Sequence, residues 1–340
     1  MLLRLTEPRS GPAPVEPVRP GIVVRPGLRH NPRRMKRPFR QLLAALAAVT
    51  GLFLNADAES ALVFQTDFGL KDGAVSAMKG VAFGVSPTLK QFDLTHEIPA
   101  YNVWEAAFRL KQTTPYWPSN TVFVSVVDPG VGTARKAVVA RTKSGQLIVG
   151  PDNGTLTFLA ESPGLDEVRE IDVARQRLKG SEASHTFHGR DVFAYVGARL
   201  AVGQLAFADV GPRLTGDVVR IAYQRATLTN GVLVGGIPVL DVQYGNVWSN
   251  IPRELFAEVQ PNLGDVFLVK VSHDGKPVFE RRVPYVTSFG DVPKGQPLLY
   301  LNSLLDMSLA LNQGSFAQKF HVSSGPDWLV ELRKVSAAVK

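Results

Sequence analysis

Hydrophobic and polar positions alternate with two different periods along the first half of this chain. Ala61-Leu62-Val63-Phe64-Gln65-Thr66 is a short β-rich run that stops at Asp67-Phe68-Gly69. Over residues 73–85 the period changes, and Val75, Met78, Val81, Ala82 and Val85 fall on one helical face. Residues 91–95 form a second strand, and residues 102–113 a second helix with Trp104, Ala107, Phe108 and Leu110 apolar. Thr121 to Val127 reads as a buried strand that ends at Asp128-Pro129-Gly130. A hairpin follows, Ala137–Thr142 and Gln146–Val149, then a helix over 190–202. Strands alternating with helices predict a mostly parallel sheet covered on both faces.

The texture changes near residue 216. Short β-rich runs at 217–224, 231–240, 265–272, 277–283 and 319–323 are broken by Gly, Asn and Pro, and no strong helical pattern intervenes before residue 303. The fold class expected is therefore α/β: an N-terminal domain over 59–215, then a smaller C-terminal all-β, barrel-like domain over 216–340.

Residues 1–58 read differently again. The first 34 are rich in Pro and Arg without apolar periodicity, as in a disordered extension or a start codon placed too far upstream. Met35 begins a basic segment, Leu42 to Leu54 is apolar, and Ala56-Asp57-Ala58 offers a small-x-small cleavage site. These are the parts of a secretory signal peptide cut after Ala58, predicting an exported, periplasmic protein with no stable membrane insertion after cleavage. An uncut anchor and a cytoplasmic location are the alternatives.

Charge changes meaning once this leader is set aside. The chain carries a net +8, but residues 1–58 hold 10 Lys and Arg against 3 Asp and Glu, leaving 28 against 27 beyond. The folded part is nearly neutral, so the charge gives no reason to expect a nucleic-acid partner. Cysteine is absent, which excludes disulfides, thiolate metal sites and a Cys nucleophile. His96, His185 and His188 lack clean metal-ligand spacing, and no metal is expected.

In a parallel sheet, ligands bind beyond the carboxyl ends of the strands. Three polar loops fall at such ends: Thr66-Asp67-Phe68-Gly69, Asp93-Leu94-Thr95-His96 and Asp128-Pro129-Gly130-Val131-Gly132-Thr133. Pro151-Asp152-Asn153-Gly154 and Thr186-Phe187-His188-Gly189-Arg190-Asp191 add two more clusters. Singly, each also suits a turn or a helix cap.

Together with Asp241-Val242-Gln243-Tyr244-Gly245-Asn246, these segments, in this order, resemble the S-adenosylmethionine hydroxide adenosyltransferase family, relatives of the fluorinase and chlorinase enzymes. The resemblance spans roughly residues 61–325. It implies hydrolysis of S-adenosylmethionine to adenosine and methionine, with no cofactor, by a homotrimer whose active sites lie between subunits. It places Asp128, Arg135 and His188 around the attacking water. It further implies that Asp67 binds both ribose hydroxyls, that Tyr101 lies near the sugar and that Phe187 flanks the reacting centre. Asp241 would meet the methionine ammonium, Asn246 the adenine and Ser303 the methionine.

The chemistry suits these residue types. A sulfonium leaves without acid help, so the difficulty is making water nucleophilic at neutral pH. A carboxylate or imidazole can accept its proton, and a guanidinium can hold the developing hydroxide; the sequence leaves open which of Asp128 and His188 is the base. Halide-using relatives carry an aromatic hydroxyl at the place of Asp128, and the fluoride enzyme has Ser at the place of Gly189, so the resemblance favours water as nucleophile. Leu304 stands where some relatives have an Arg, leaving recognition of the substrate carboxylate open. A halogenase and an exported nucleoside-binding protein without turnover are the competing readings.

Overall fold

The structure, a computed structural model, describes residues 60–335; the expected leader and its cleavage site lie outside the described residues. The chain opens with a six-stranded sheet: β1 (Leu62–Thr66), β2 (Gln91–Thr95), β3 (Val122–Val126), β4 (Ala137–Thr142), β5 (Leu147–Pro151) and β6 (Leu165–Glu170). Their spatial order is β2-β1-β3-β5-β4-β6. The first four neighbours run parallel, while β4 is antiparallel to both β5 and β6.

Strand residues point alternately to two cores, as a sheet covered on both faces requires. Leu62 and Phe64 pack with Met78 and Ala82 of α1 (Ala74–Val85), whereas Val63 packs with Leu110 of α2 (Val103–Thr113) and Leu159 of α3 (Thr157–Glu161). Asn102 caps α2, its side chain accepting from Glu105 N at 2.9 Å. Beyond the sheet, Gly189–Ala194 forms a widened π-type turn that runs into α4 (Tyr195–Ala201). The predicted helix over 190–202 is thus present, with an irregular start next to His188. Such π turns recur at functional sites.

The chain passes from β1 to β2 on one side, and β3 lies on the other side of β1. The crevice beyond the carboxyl ends of β1 and β3 is therefore a topological switch point. Asp67 follows β1 and Asp128 follows β3 by two residues.

The C-terminal part holds two antiparallel sheets. The four-stranded one orders β13 (Pro297–Leu301), β14 (Asp306–Leu311), β10 (Asn246–Pro252) and β9 (Val239–Asp241). The five-stranded one orders β12 (Lys276–Pro284), β11 (Val266–His273), β15 (Gly325–Lys334), β8 (Val232–Ile237) and β7 (Thr227–Thr229). Leu233, Phe267 and Leu332 of one sheet share a core with Val247 and Leu309 of the other. Two short helices, α5 (Arg253–Ala257) and α6 (Phe316–Phe320), add Phe256 and Phe316 to this core. Trp104 Nε1 donates to Pro238 O at 2.8 Å, tying α2 to this part.

Two predicted strands are corrected. Residues 217–224 form no ladder; the backbone is extended but bonds to side chains of the first sheet's connections, Val219 N to Asp152 Oδ1 at 2.9 Å and Ile221 N to Thr157 Oγ1 at 3.0 Å. Residues 319–323 instead close α6, where His321 takes the left-handed conformation that ends a helix. The helix α5 was not predicted because five residues are too few for a helical period. Among the described residues, no helix is long and apolar enough to cross a membrane.

Candidate active site

Asp128 leaves β3 at the switch point, and Arg135 returns to it across the tight turn of residues 128–134. Arg135 Nε lies 2.9 Å from Asp128 Oδ1 and 3.1 Å from Oδ2, and Nη2 also donates to Oδ2. The same Nη2 lies 3.0 Å from His188 Nδ1. The three residues that the resemblance singled out, drawn from two distant segments, are therefore joined through one guanidinium. The pair is nearly enclosed, with side-chain exposures of 10% for Arg135 and 5% for Asp128.

The guanidinium has only hydrogens to offer, so His188 Nδ1 accepts, and the network assigns the proton of the neutral ring to Nε2. That Nε2 is buried and has no hydrogen-bond partner. Burial, followed by the positive charges of Arg135 and Arg177, holds the His188 pKa below the ordinary imidazole value, with Asp128 pulling the other way. The ring is thereby kept neutral with a proton to donate.

A cavity of about 240 Å³ opens beside this group. Asp67, Tyr101, Asp128, Phe187, His188 and Gly189 line it, with Phe68, Ala100, Val126, Val131 and Thr186 between them. Seven sequence-predicted residues thus meet at one place, with Arg135 bonded to Asp128 and His188. Asp67 Oδ2 accepts from Tyr101 N at 2.8 Å, which holds Tyr101 in its unusual backbone at φ 68°. Tyr101 is 73% exposed. Phe68 and Phe187 meet edge to face at 5.9 Å. Gly189 lets them close: a Cβ there would lie 3.3 Å from Phe68 and 3.4 Å from Phe187.

Asp241, Asn246 and Ser303 are not brought to this cavity, whose lining residues all fall between Asp67 and Gly189. Asp241 and Asn246 face each other across the β9–β10 hairpin, where Asn246 Nδ2 donates to Asp241 Oδ2 at 3.1 Å. Ser303 is exposed in the turn between β13 and β14, and Leu304 packs toward Trp104 and Trp248.

Sequence reasoning missed Arg177. Its buried guanidinium holds the loop before His188, with Nε donating to Ser181 Oγ at 2.9 Å and Nη2 to Ser184 O. It also lies 3.4 Å from His185 Nδ1 and 3.8 Å from Asp191 Oδ2, but no periodicity marks it, because its partners are scattered along the following loop. Among the described residues, the imidazole and carboxylates close enough to share an ion are His273, Asp274 and Asp327, at the β11–β12 turn and the start of β15, and no predicted site residue is among them.

Two family models match successive parts of the chain. A model of the SAM hydroxide adenosyltransferase N-terminal domain matches residues 62–211, and that of the C-terminal domain matches residues 235–329. An (R)-S-adenosyl-L-methionine hydrolase from Salinispora arenicola is 36% identical over 263 residues, 77% of this chain and 94% of that protein. A fluorinase from an Actinoplanes species is 28% identical, covering 80% of this chain and 97% of its own. The crystal structure of an uncharacterized conserved protein from Thermotoga maritima superposes with a TM-score of 0.73 at 36% identity, covering 80% of this chain and 99% of that one. Matched along both halves in the same order, and carrying its ordered loops at the switch point of the sheet, the chain belongs to the SAM hydroxide adenosyltransferase family.

Proposed function

We propose that this chain hydrolyses S-adenosyl-L-methionine to adenosine and L-methionine, by in-line attack of water on C5′ opposite the sulfonium. The observation that carries the reading is the composition of the cavity. Among the described residues that line it there are two carboxylates and a neutral imidazole but no cation. Such a lining suits a positively charged sulfur and an oxygen nucleophile. It offers a halide no cationic partner, because Arg135 sits behind Asp128 and is held there by it.

The roles follow from the hydrogen-bond network. With Nδ1 accepting from Arg135, His188 can protonate only by breaking that bond. Its Nε2–H orients the water by donating to the oxygen, and Asp128 accepts the water's proton as the O–C5′ bond forms and the C5′–S bond breaks. Arg135 fixes both partners and balances the carboxylate charge. Alignment of oxygen, carbon and sulfur supplies the remainder through positioning.

Asp241, Asn246 and Ser303 are placed by this reading against the cavity of a second copy, in a homotrimer. In its support, the cavity is small for a ligand site, below the roughly 300–1,000 Å³ that is usual, and an exposed Tyr101 flanks it. The leader read in residues 35–58 makes the mature protein an exported one.

Incubation of purified protein with S-adenosylmethionine, followed by chromatography of the products, tests the function. Adenosine and methionine in equal amounts are expected. A 5′-halo-nucleoside formed in the presence of halide, or bound and unchanged substrate, would overturn the proposal.

A further inference from the structure

The motif Asp93-Leu94-Thr95-His96 has no part in the chemistry above, yet its side chains are among the most fully bonded next to the cavity. His96 is buried at 4% exposure and Thr66 at 0%. His96 Nε2 lies 3.0 Å from Asp93 Oδ1, and His96 Nδ1 lies 2.8 Å from Thr66 Oγ1. Lys79 Nζ holds the other Asp93 oxygen at 2.6 Å. At the inner end, Phe68 N donates to Thr66 Oγ1 at 3.2 Å, and Gly69 N donates to the His96 carbonyl at 2.8 Å.

Donor and acceptor counting gives this chain a direction. A carboxylate can only accept, so His96 Nε2 carries a hydrogen. Nδ1 of the neutral ring then accepts from the Thr66 hydroxyl, whose lone pair is left to accept from Phe68 N. Were Nδ1 to carry a hydrogen as well, Thr66 Oγ1 would accept from both Nδ1 and Phe68 N, and its own hydrogen would have to turn away from the ring. The Nε2–H tautomer gives the Asp93, His96, Thr66 and Phe68 contacts one consistent set of donors and acceptors.

We infer that the chain Lys79–Asp93–His96–Thr66 is a positioning device that aims the Asp67-Phe68 dipeptide into the cavity. Phe68 N and Gly69 N are both tied to it, and Gly69 supplies the positive φ of 66° that lets the backbone turn there. Asp67 lies between the Thr66 anchor and those two amides, with its carboxylate in the cavity wall, while Phe68 meets Phe187 across the same wall. The inference rests on the proposed role of Asp67 at the ribose diol for its effect on substrate choice, but not for its effect on the loop.

Two measurements on the full chain test it. Thr66→Val removes the hydroxyl at nearly constant shape, and Asp93→Ala cuts the chain at its half-exposed outer end, where folding is least at risk. Hydrogen exchange at the Phe68 and Gly69 amides should quicken about tenfold in both, with the amides of Val63 and Phe64 unchanged. The preference for S-adenosylmethionine over its 2′-deoxyribose analogue, as a ratio of kcat/KM, should shrink about fivefold, the scale of one aimed hydrogen bond. Thr66→Ser should restore both. Unchanged exchange at Phe68 and Gly69, or quickening spread evenly along β1, overturns the inference. So does an unchanged ratio when Asp67→Ala, the reference variant, abolishes it. If Asp67→Ala itself leaves the ratio intact, the diol role of Asp67 fails, and the exchange pattern alone decides on positioning.

Discussion

Arg135 reaches His188 with the same nitrogen that grips Asp128: Nη2 lies 3.0 Å from His188 Nδ1 while it donates to Asp128 Oδ2. One guanidinium thus sets both the direction of a carboxylate and the tautomer of an imidazole. The division of roles between the two partners follows from that sharing.

Replacing the proton acceptor should cost more than replacing the orienting donor. Asp128→Asn is expected to lower kcat by about 100-fold or more, the range of a lost general base. His188→Gln keeps an N–H donor and should lose about tenfold, whereas His188→Ala should approach the Asp128→Asn level. Single-turnover rates check this; equal losses in His188→Gln and Asp128→Asn would return the proton to His188.

Acid should destabilise the protein through His188. The folded-state pKa lies below the ordinary value of 6.5, first because of burial and then because of Arg135 and Arg177. The unfolded chain therefore takes up a proton where the folded chain does not, and stability is lost as pH falls through about 6.5 toward the folded value. Thermal melts between about pH 7.5 and 5 should show Tm falling more steeply in the wild type than in His188→Gln, in which this contribution is gone.

Gly189→Ser should disturb binding rather than change the nucleophile. The new Cβ would meet Phe68 at 3.3 Å and Phe187 at 3.4 Å, so both rings must give by a few tenths of an ångström. KM is expected to rise about threefold to tenfold, the effect of mild overpacking. No halogenated nucleoside should form in fluoride or chloride, since no cation is added to the cavity. Product chromatography decides the second point.

Two inactive variants should complement each other if the site lies between copies. Asp128→Ala breaks the cavity half and Asn246→Ala the hairpin half, where Asn246 supports Asp241. Mixed and reassembled, they should recover about a quarter of wild-type turnover for random pairing across a shared site. Recovery no greater than the sum of the separate variants would place the whole site within one chain.

Export predicts a defined mature end. Expressed with its leader in a bacterial host, the protein should appear in the periplasm beginning at Glu59. Amino-terminal sequencing reads this directly, and a retained segment 35–58 would speak for an anchor or a cytoplasmic protein.

Much of the first sheet was legible in the sequence because its period signals are local. Val75, Met78 and Ala82 mark one face of a helix by spacing alone, and they are the buried residues of α1. The loops at the strand ends, with their ordered Asp, His and Gly residues, were enough to name the family. The C-terminal strands β10, β13 and β14 escaped because their burial is nearly continuous and set by the sheet opposite, whereas β15 does alternate, with Trp328, Val330 and Leu332 buried. Residues 217–224 have strand composition but find their partners in Asp152 and Thr157, far away in sequence.

Within the site, sequence alone determined which residue types are available and that Asp67, Asp128 and His188 follow or precede regular elements. Tertiary structure decided everything about their relations. Only packing could show that Arg135 serves two partners, that His188 keeps its proton on Nε2, and that Arg177 and His96 stand behind the loops that carry the chemistry. Periodicity records how a residue meets its own helix or strand, whereas hydrogen bonds between distant segments leave no mark on the spacing of either.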